Sequence, residues 1–346
     1  MKRLKHLSFL RGALAAAGMI AAVGASSSLK AQDKVQDVRV SMDWLIQGTH
    51  APFFVAQSKG YFKDQGINPT IESGKGATNV AVSVASGAYQ FGLVDVPSMI
   101  VFNAKNPGRP LIGVYMYFDQ SALAIISRAS AGIRKPADLM GKKIAAGPGT
   151  AAYDMIGLIL TPEENAKVQW VPVQPQLFAA MLQRKEVEGL GGFVNSQLPA
   201  ALEAGLTMDE ISVMKFSAFG PPLYGMALAT TKDYAEANPD LVRKVVKAVN
   251  QGLIATIAAP DEALKLMKAR DPMMKADIEK VRLGLALGLI DTPFTRANGL
   301  STVVPERMTV TGENVAKMFK LEKTPTPDEI FTSAYLPPVA ERMPGK

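Results

Sequence analysis

Trp44, Gln47 and His50 fall within one short stretch, SMDWLIQGTHAPFFVAQSKGYFKDQGI (41–67), and bring an indole, an amide and an imidazole together. An indole face stacks on a planar ring, a neutral imidazole offers one donor and one acceptor, and an amide offers both. That is recognition chemistry. For catalysis the chain is poor. Its only histidines are His6 and His50, it has no cysteine, and no acid pair or Ser, His and Asp set can be assembled around His50. The missing cysteines exclude disulfides, thiolate metal sites and thiol nucleophiles. No phosphate loop of the Gly, four residues, Gly, Lys, Ser/Thr pattern occurs, so nucleotide hydrolysis would belong to a partner. No catalytic residue, no metal and no cofactor is expected.

These groups need a frame. Val38 to Met42 alternates as a strand does, Asp43, Gly48 and Pro52 break the run, and Phe53 to Phe62 resumes at helical spacing. In an open α/β sheet such a loop leaves the carboxyl end of the first strand, where ligands collect. Ile67 to Glu72 reads as a second strand running into SGKGATN (73–79) and then a helix that stops at Gly87. Gly74 and Gly76 allow close backbone approach, Thr78 or Asn79 can cap, and the free amides of the helix start attract a polar or anionic group. An ordinary strand-to-helix turn accounts for the same residues. Gln90 to Val94 is a short strand followed by Asp95, which is either a helix cap or a ligand acceptor.

Pro110 to Tyr117 and Leu123 to Ser127 are β-rich. After a strand at Lys143 to Ala146, GPGTAA (147–152) repeats the physics of SGKGATN, so Gly149 and Thr150 could face Gly76, Thr78 and Asn79 across a cleft. Val168 to Val173 is a strand, Gln176 to Gln183 a helix with Leu177, Ala180 and Met181 on one face, and Gly189 to Val194 a strand ending at Asn195, which contacts ligand or turns the chain. Leu223 to Thr230 reads as a returning strand. Pro239 to Ala259 and Pro260 to Lys268 are helices, and the remainder suggests short helices packed on the outside. Tyr115, Tyr153 and Tyr224 are further aromatic candidates, for which core packing is the commoner fate.

At 346 residues the chain exceeds one ordinary core and predicts two domains. Lys2, Arg3, Lys5 and Arg11 precede the small-residue apolar run Gly12 to Ala25, and cleavage after Ala25 or Ala31 would complete an export signal. That run is shorter than the about 20 apolar residues needed to span a bilayer. Loss of residues 1–31 removes five basic residues and no acidic one, so the net charge of +7 falls to +2. The basicity is therefore a targeting feature, with no nucleic-acid patch in it.

The order of parts, DWLIQGTHAPFFVAQSKGYFKDQGI, GKGATN, VASGAYQFGLVDVPSMI, KPADLMGKKIAAGPGTAAYDM and VEGLGGFVN, resembles the periplasmic solute-binding proteins of ABC importers in their NMT1/THI5-like branch. That branch is similar to the fungal thiamine-pyrimidine synthase and to bacterial pyrimidine-precursor, sulfonate and nitrate binding proteins. The resemblance covers about residues 38–260 and departs at Gln90, where relatives commonly carry Asp. It implies a type II periplasmic-binding-protein fold, two Rossmann-like α/β lobes joined by two crossovers. Lobe 1 would take 32–121 and 228–346, and lobe 2 would take 122–227, with crossovers at Asp119 to Ser127 and Pro222 to Thr230. Trp44 and His50 match the pocket Trp and His of the branch, and Gly74 to Asn79 and Gly147 to Thr150 match loops that hold polar ligand groups.

The function implied is extracytoplasmic, periplasmic capture of a small flat polar solute: a thiamine-pyrimidine precursor, another nitrogen heterocycle or an aromatic acid. The protein would be a monomer that delivers to an ABC permease and its ATPase at the inner membrane. Two alternatives stand beside it. A sulfonate- or nitrate-type anion would be held by Thr78, Asn79 and Thr150 without stacking on an aromatic ring. A synthase-like enzyme would use the His reactively, but that branch carries a cysteine-rich iron motif that a chain without cysteine cannot supply.

Overall fold

The computed structural model describes residues 35–345, so the export signal expected at 1–31 lies outside the described residues. Ten strands follow in chain order: β1 (Gln36–Ser41), β2 (Ile67–Glu72), β3 (Phe91–Asp95), β4 (Leu111–Met116), β5 (Leu123–Arg128), β6 (Lys143–Ala145), β7 (Gln169–Val171), β8 (Gly189–Phe193), β9 (Ile211–Lys215) and β10 (Met226–Thr231). They form two five-stranded sheets, in the orders β2-β1-β3-β10-β4 and β7-β6-β8-β5-β9. In the first, β1 pairs parallel with β2 and β3, and β10 runs antiparallel between β3 and β4. In the second, β6 pairs parallel with β7 and β8, and β5 runs antiparallel between β8 and β9. Each sheet thus takes as its fourth strand the one that has just arrived from the other half of the chain.

Both sheets are covered on two faces, which is why β3 and β4 are buried at every position instead of alternating. On one face of the first sheet, helices Ala51–Ser58 and Pro239–Ala258 bury Phe53, Val55, Val245 and Val249 against Val38 and Val40. On the other, helices Ala77–Ala85 and Val96–Lys105 bury Val80, Val84, Met99 and Ile100. Among the described residues, no helix is long and apolar enough to cross a membrane.

Four local expectations are corrected by tertiary context. The helix expected over Phe53 to Phe62 is broken at Gly60, whose φ of +80° ends Ala51–Ser58 and starts Tyr61–Asp64. The returning strand begins at Met226, not Leu223, because residues 220–225 pack against the outgoing crossover; a Cβ on Gly225 would stand 2.3 Å from the Gln120 carbonyl oxygen. The helix expected from Gln176 begins at Phe178 and buries Phe178 and Leu182, leaving Leu177 exposed, so the apolar face is displaced from the one the spacing suggested. Finally, the C-terminal third is not merely outer packing. The helix Ala276–Ile290 has Glu279, Arg282, Leu283 and Ala286 buried, and it lies against both the Gly48–His50 turn and the helix Val194–Glu203.

Candidate functional site

The carboxyl end of β1 carries the site's chemistry, and the first glycine loop braces it. Gly76 N–H donates to the Asp43 carbonyl (2.9 Å) and Gly74 N–H to the Trp44 carbonyl (3.0 Å). Both glycines are required by geometry: a Cβ on Gly74 would stand 1.9 Å from the Met42 carbonyl oxygen, and Gly76 has φ +103°. Beyond Trp44 the chain turns at Gly48–His50 and enters the helix Ala51–Ser58, with Pro52 in its first turn.

His50 is buried, with both ring nitrogens engaged. Gln47 N–H donates to Nδ1 (3.1 Å), which leaves the proton on Nε2, and Nε2 lies 2.8 Å from Asp43 Oδ1. The imidazole expected to offer a ligand one donor and one acceptor is therefore spent on the loop and on Asp43. It aims the carboxylate instead. Asp43 itself lines the cavity.

The facing wall comes from β8 and the first turn of the helix Val194–Glu203, with Gly191, Gly192, Phe193, Asn195 and Ser196. Asn195 Nδ2 donates across the cleft to Thr49 Oγ1 (2.9 Å), while Asn195 Oδ1 is buried without a partner. The two glycine loops meet at the mouth, where a Cβ on Gly76 would lie 3.4 Å from the Gly149 carbonyl oxygen. The cavity between the walls measures about 50 Å³ at the centres of water molecules. That is room for about four waters. Trp44, Gly149 and Thr150 also border a larger outer chamber of about 850 Å³ that holds Lys75, Asn79 and Leu177.

No Lys or Arg lines the inner cavity among the described residues, and Asp43 is its one formal charge. Three donors of the glycine loops are committed within the protein. Gly149 N–H donates to Asp154 Oδ1 (3.2 Å), Thr150 Oγ1 donates to the Gly147 carbonyl (2.7 Å), and Asn79 Nδ2 donates to the Lys75 carbonyl (2.9 Å). Among the described residues, no group of three or more His, Cys, Asp or Glu could hold a metal ion.

The fold brings Trp44, Gln47, His50, Gly76, Gly149, Thr150 and Asn195 to one cavity. It leaves the other candidates elsewhere. Asn79 borders only the outer chamber, and Thr78 lines neither chamber. Asp95 is a helix cap: its Oδ2 accepts from Ser98 N–H (3.2 Å) and Ser98 Oγ (3.1 Å). Burial pushes the Asp95 carboxyl up to about 7, with the nearby Asp43 charge adding to the effect. Tyr115 is core, donating to Asn250 Oδ1 (2.9 Å). Tyr224 accepts from Val304 N–H (2.7 Å) and lies under the Arg307 guanidinium at the crossovers. Tyr153 packs on Trp170. The residues that spacing did not reveal are Asp43, which reads as a strand breaker, Thr49, and the pair Glu279 and Arg282 behind the cavity. Spacing carried no signal for the last two, since Asp277 and Lys280 stand at the same interval in the same helix and are exposed.

The fold and the two-walled cleft define an α/β binding protein, and the comparisons agree. The chain matches the family described as NMT1/THI5 like over residues 47–263 and belongs to it. It is similar to the formylaminopyrimidine-binding protein of Halalkalibacterium halodurans, 24% identical over 75% of this chain and 80% of that one. It is also similar to the riboflavin-binding protein of Chloroflexus aurantiacus, 25% identical over 71% and 70%. A third relative is a 4-amino-5-hydroxymethyl-2-methylpyrimidine phosphate synthase of Saccharomyces cerevisiae, 24% identical over 68% and 72%. Among solved structures, the periplasmic aliphatic sulphonate binding protein of Escherichia coli superposes with a TM-score of 0.63 at 15% identity, over 89% of this chain and 92% of that one. The fold is thus the two-lobed type II periplasmic-binding-protein fold.

Proposed function

We propose that this protein is the solute-capturing component of an ABC importer and that its solute is a monocyclic nitrogen heterocycle carrying N–H donors, of the aminopyrimidine class. One observation carries the reading: Asn195 Oδ1 is a buried acceptor without a partner, across from the wall of Trp44 and the Asp43 carboxylate in a cavity with no cation among its described lining. A buried acceptor left unmade is costly, so the site is complementary to a ring that brings donors to both walls. Stacking on Trp44 would add about 1–3 kcal/mol. Closure of two lobes around such a ring makes the occupied shape distinct, which a permease can read.

The sulfonate- or nitrate-type reading is disfavoured because an anion would meet the Asp43 carboxylate in a cavity with no Lys or Arg among its described lining. Binding without turnover is supported by His50, whose nitrogens are both engaged, and by the absence of cysteine. A site of action outside the cytoplasm is supported by the N-terminal pattern and by the periplasmic relative.

Calorimetric titration with formylaminopyrimidine, riboflavin, nitrate and an alkanesulfonate tests the proposal. The pyrimidine is expected to bind, and Trp44→Ala should weaken it by about tenfold to a hundredfold. Binding of nitrate or the sulfonate with no response to the pyrimidine would sink it.

A further inference from the structure

Behind the cavity, Glu279 and Arg282 of the helix Ala276–Ile290 are 8% and 2% exposed. Burying an ion pair seldom stabilises a fold by itself, so the groups this pair holds decide its role. Arg282 Nε donates to Glu279 Oε1 (3.2 Å), while Nη1 reaches Gln47 Oε1 (3.1 Å) and the carbonyl oxygens of Ser196 (3.0 Å) and Asn195 (3.4 Å). Gln47 stands in the first wall of the cavity; Asn195 and Ser196 stand in the second. Glu279 Oε2 accepts from Gly48 N–H, and a Cβ on Gly48 would stand 2.9 Å from Glu279 oxygens. The same helix adds Leu283 and Ala286 to the core that contains Leu198 and Ala201 of the second wall's helix.

One guanidinium therefore touches both walls, yet Arg282 does not line the cavity. We infer that Arg282 is a positioning residue, a clasp that ties Gln47 to the carbonyls at 195–196 and holds the two walls in closed register without touching the solute. Separating the walls breaks either the Gln47 bond or the carbonyl bonds, and it leaves a buried cation short of acceptors. Glu279 anchors the clasp to the Gly48–His50 turn. Lysine is a poor replacement, because its donors radiate from one atom and lack the planar fork that spans separate acceptors.

The absence of cysteine lets Ser86→Cys and Glu163→Cys, exposed positions on the two lobes, take paired spin labels at unique sites. Double electron–electron resonance on protein refolded free of solute then reads the distance between lobes. Arg282→Met is expected to lower the ratio of closed to open protein by about fivefold, the equivalent of one hydrogen-bonded contact of about 1 kcal/mol, and Arg282→Lys to recover part of it. An unchanged distance distribution in Arg282→Met overturns the clasp whatever its melting temperature. If that variant does not fold, an unchanged distribution in Arg282→Lys overturns it equally. No solute enters the measurement, so it stands or falls separately from the aminopyrimidine reading.

Discussion

The first glycine loop donates Gly74 and Gly76 N–H outward, to the carbonyls of Trp44 and Asp43, whereas the second closes on itself through Gly147, Thr150 and Asp154. The first opens a helix of nine residues and the second a helix of four. Similar sequences thus serve unlike ends. The first wall fixes a carboxylate and an indole, with His50 bracing the carboxylate from behind; the second supplies a glycine-lined surface and the amides of Asn195 and Gln197. The cavity's charged group and its indole both stand in the first wall. The difference predicts that equivalent changes in the two walls have unequal consequences.

The largest effect is expected from Gly74→Ala, because the new Cβ meets the Met42 carbonyl oxygen and Val80 and the end of β1 must move. A loss of about 3 kcal/mol or more is expected, read as a fall in melting temperature and folded yield. A variant as stable as the parent would remove the brace from the argument. Asp43→Asn comes next. It keeps an acceptor for His50 but turns amide donors toward donors of the solute, so affinity for formylaminopyrimidine should fall at least about tenfold. Calorimetry with little change would shift the weight to the second wall.

A third test concerns the acid beneath the first wall. Asp95 is raised from 3.8 to about 7, so the folded state binds its proton more tightly than the unfolded chain does. Its contribution to stability is full below pH 3.8 and is lost as pH rises through about 7. Asp95→Asn retains a good helix cap, so its melting temperature should fall less than the parent's between pH 5 and 8. Parallel melting curves would contradict this. The smallest effect belongs to Gly149→Ala in the second loop, where φ is +87° but no atom lies within 4 Å of the new Cβ. Only backbone strain of about 1–2 kcal/mol is expected, with affinity changed less than about threefold. A tenfold loss of affinity would make the two loops equals.

Several parts were legible in the sequence because their causes are local. The strand Ile67–Glu72, the glycines at 74 and 76 and the turn toward His50 follow from alternation, backbone freedom and proline within a few residues. Asp95 as a cap follows from Ser98 three positions on. Asp43 was not legible as a site residue, since a polar residue after a strand ordinarily just ends it. Its role depends on His50 folding back onto it from seven positions along the chain.

By itself, the sequence determined the α/β frame and narrowed the chemistry: without cysteine, and with His50 the lone imidazole outside the first few residues, it holds no thiol nucleophile, disulfide or thiolate metal site. Tertiary structure alone decided which groups line the cavity and what stands behind them. Asn195 and Arg282 lie far along the chain from Thr49 and Gln47 and become their partners only when the two sheets close on each other. Periodicity reports which face of an element is buried, but not which distant element covers it, and the cleft is made of such long-range pairings.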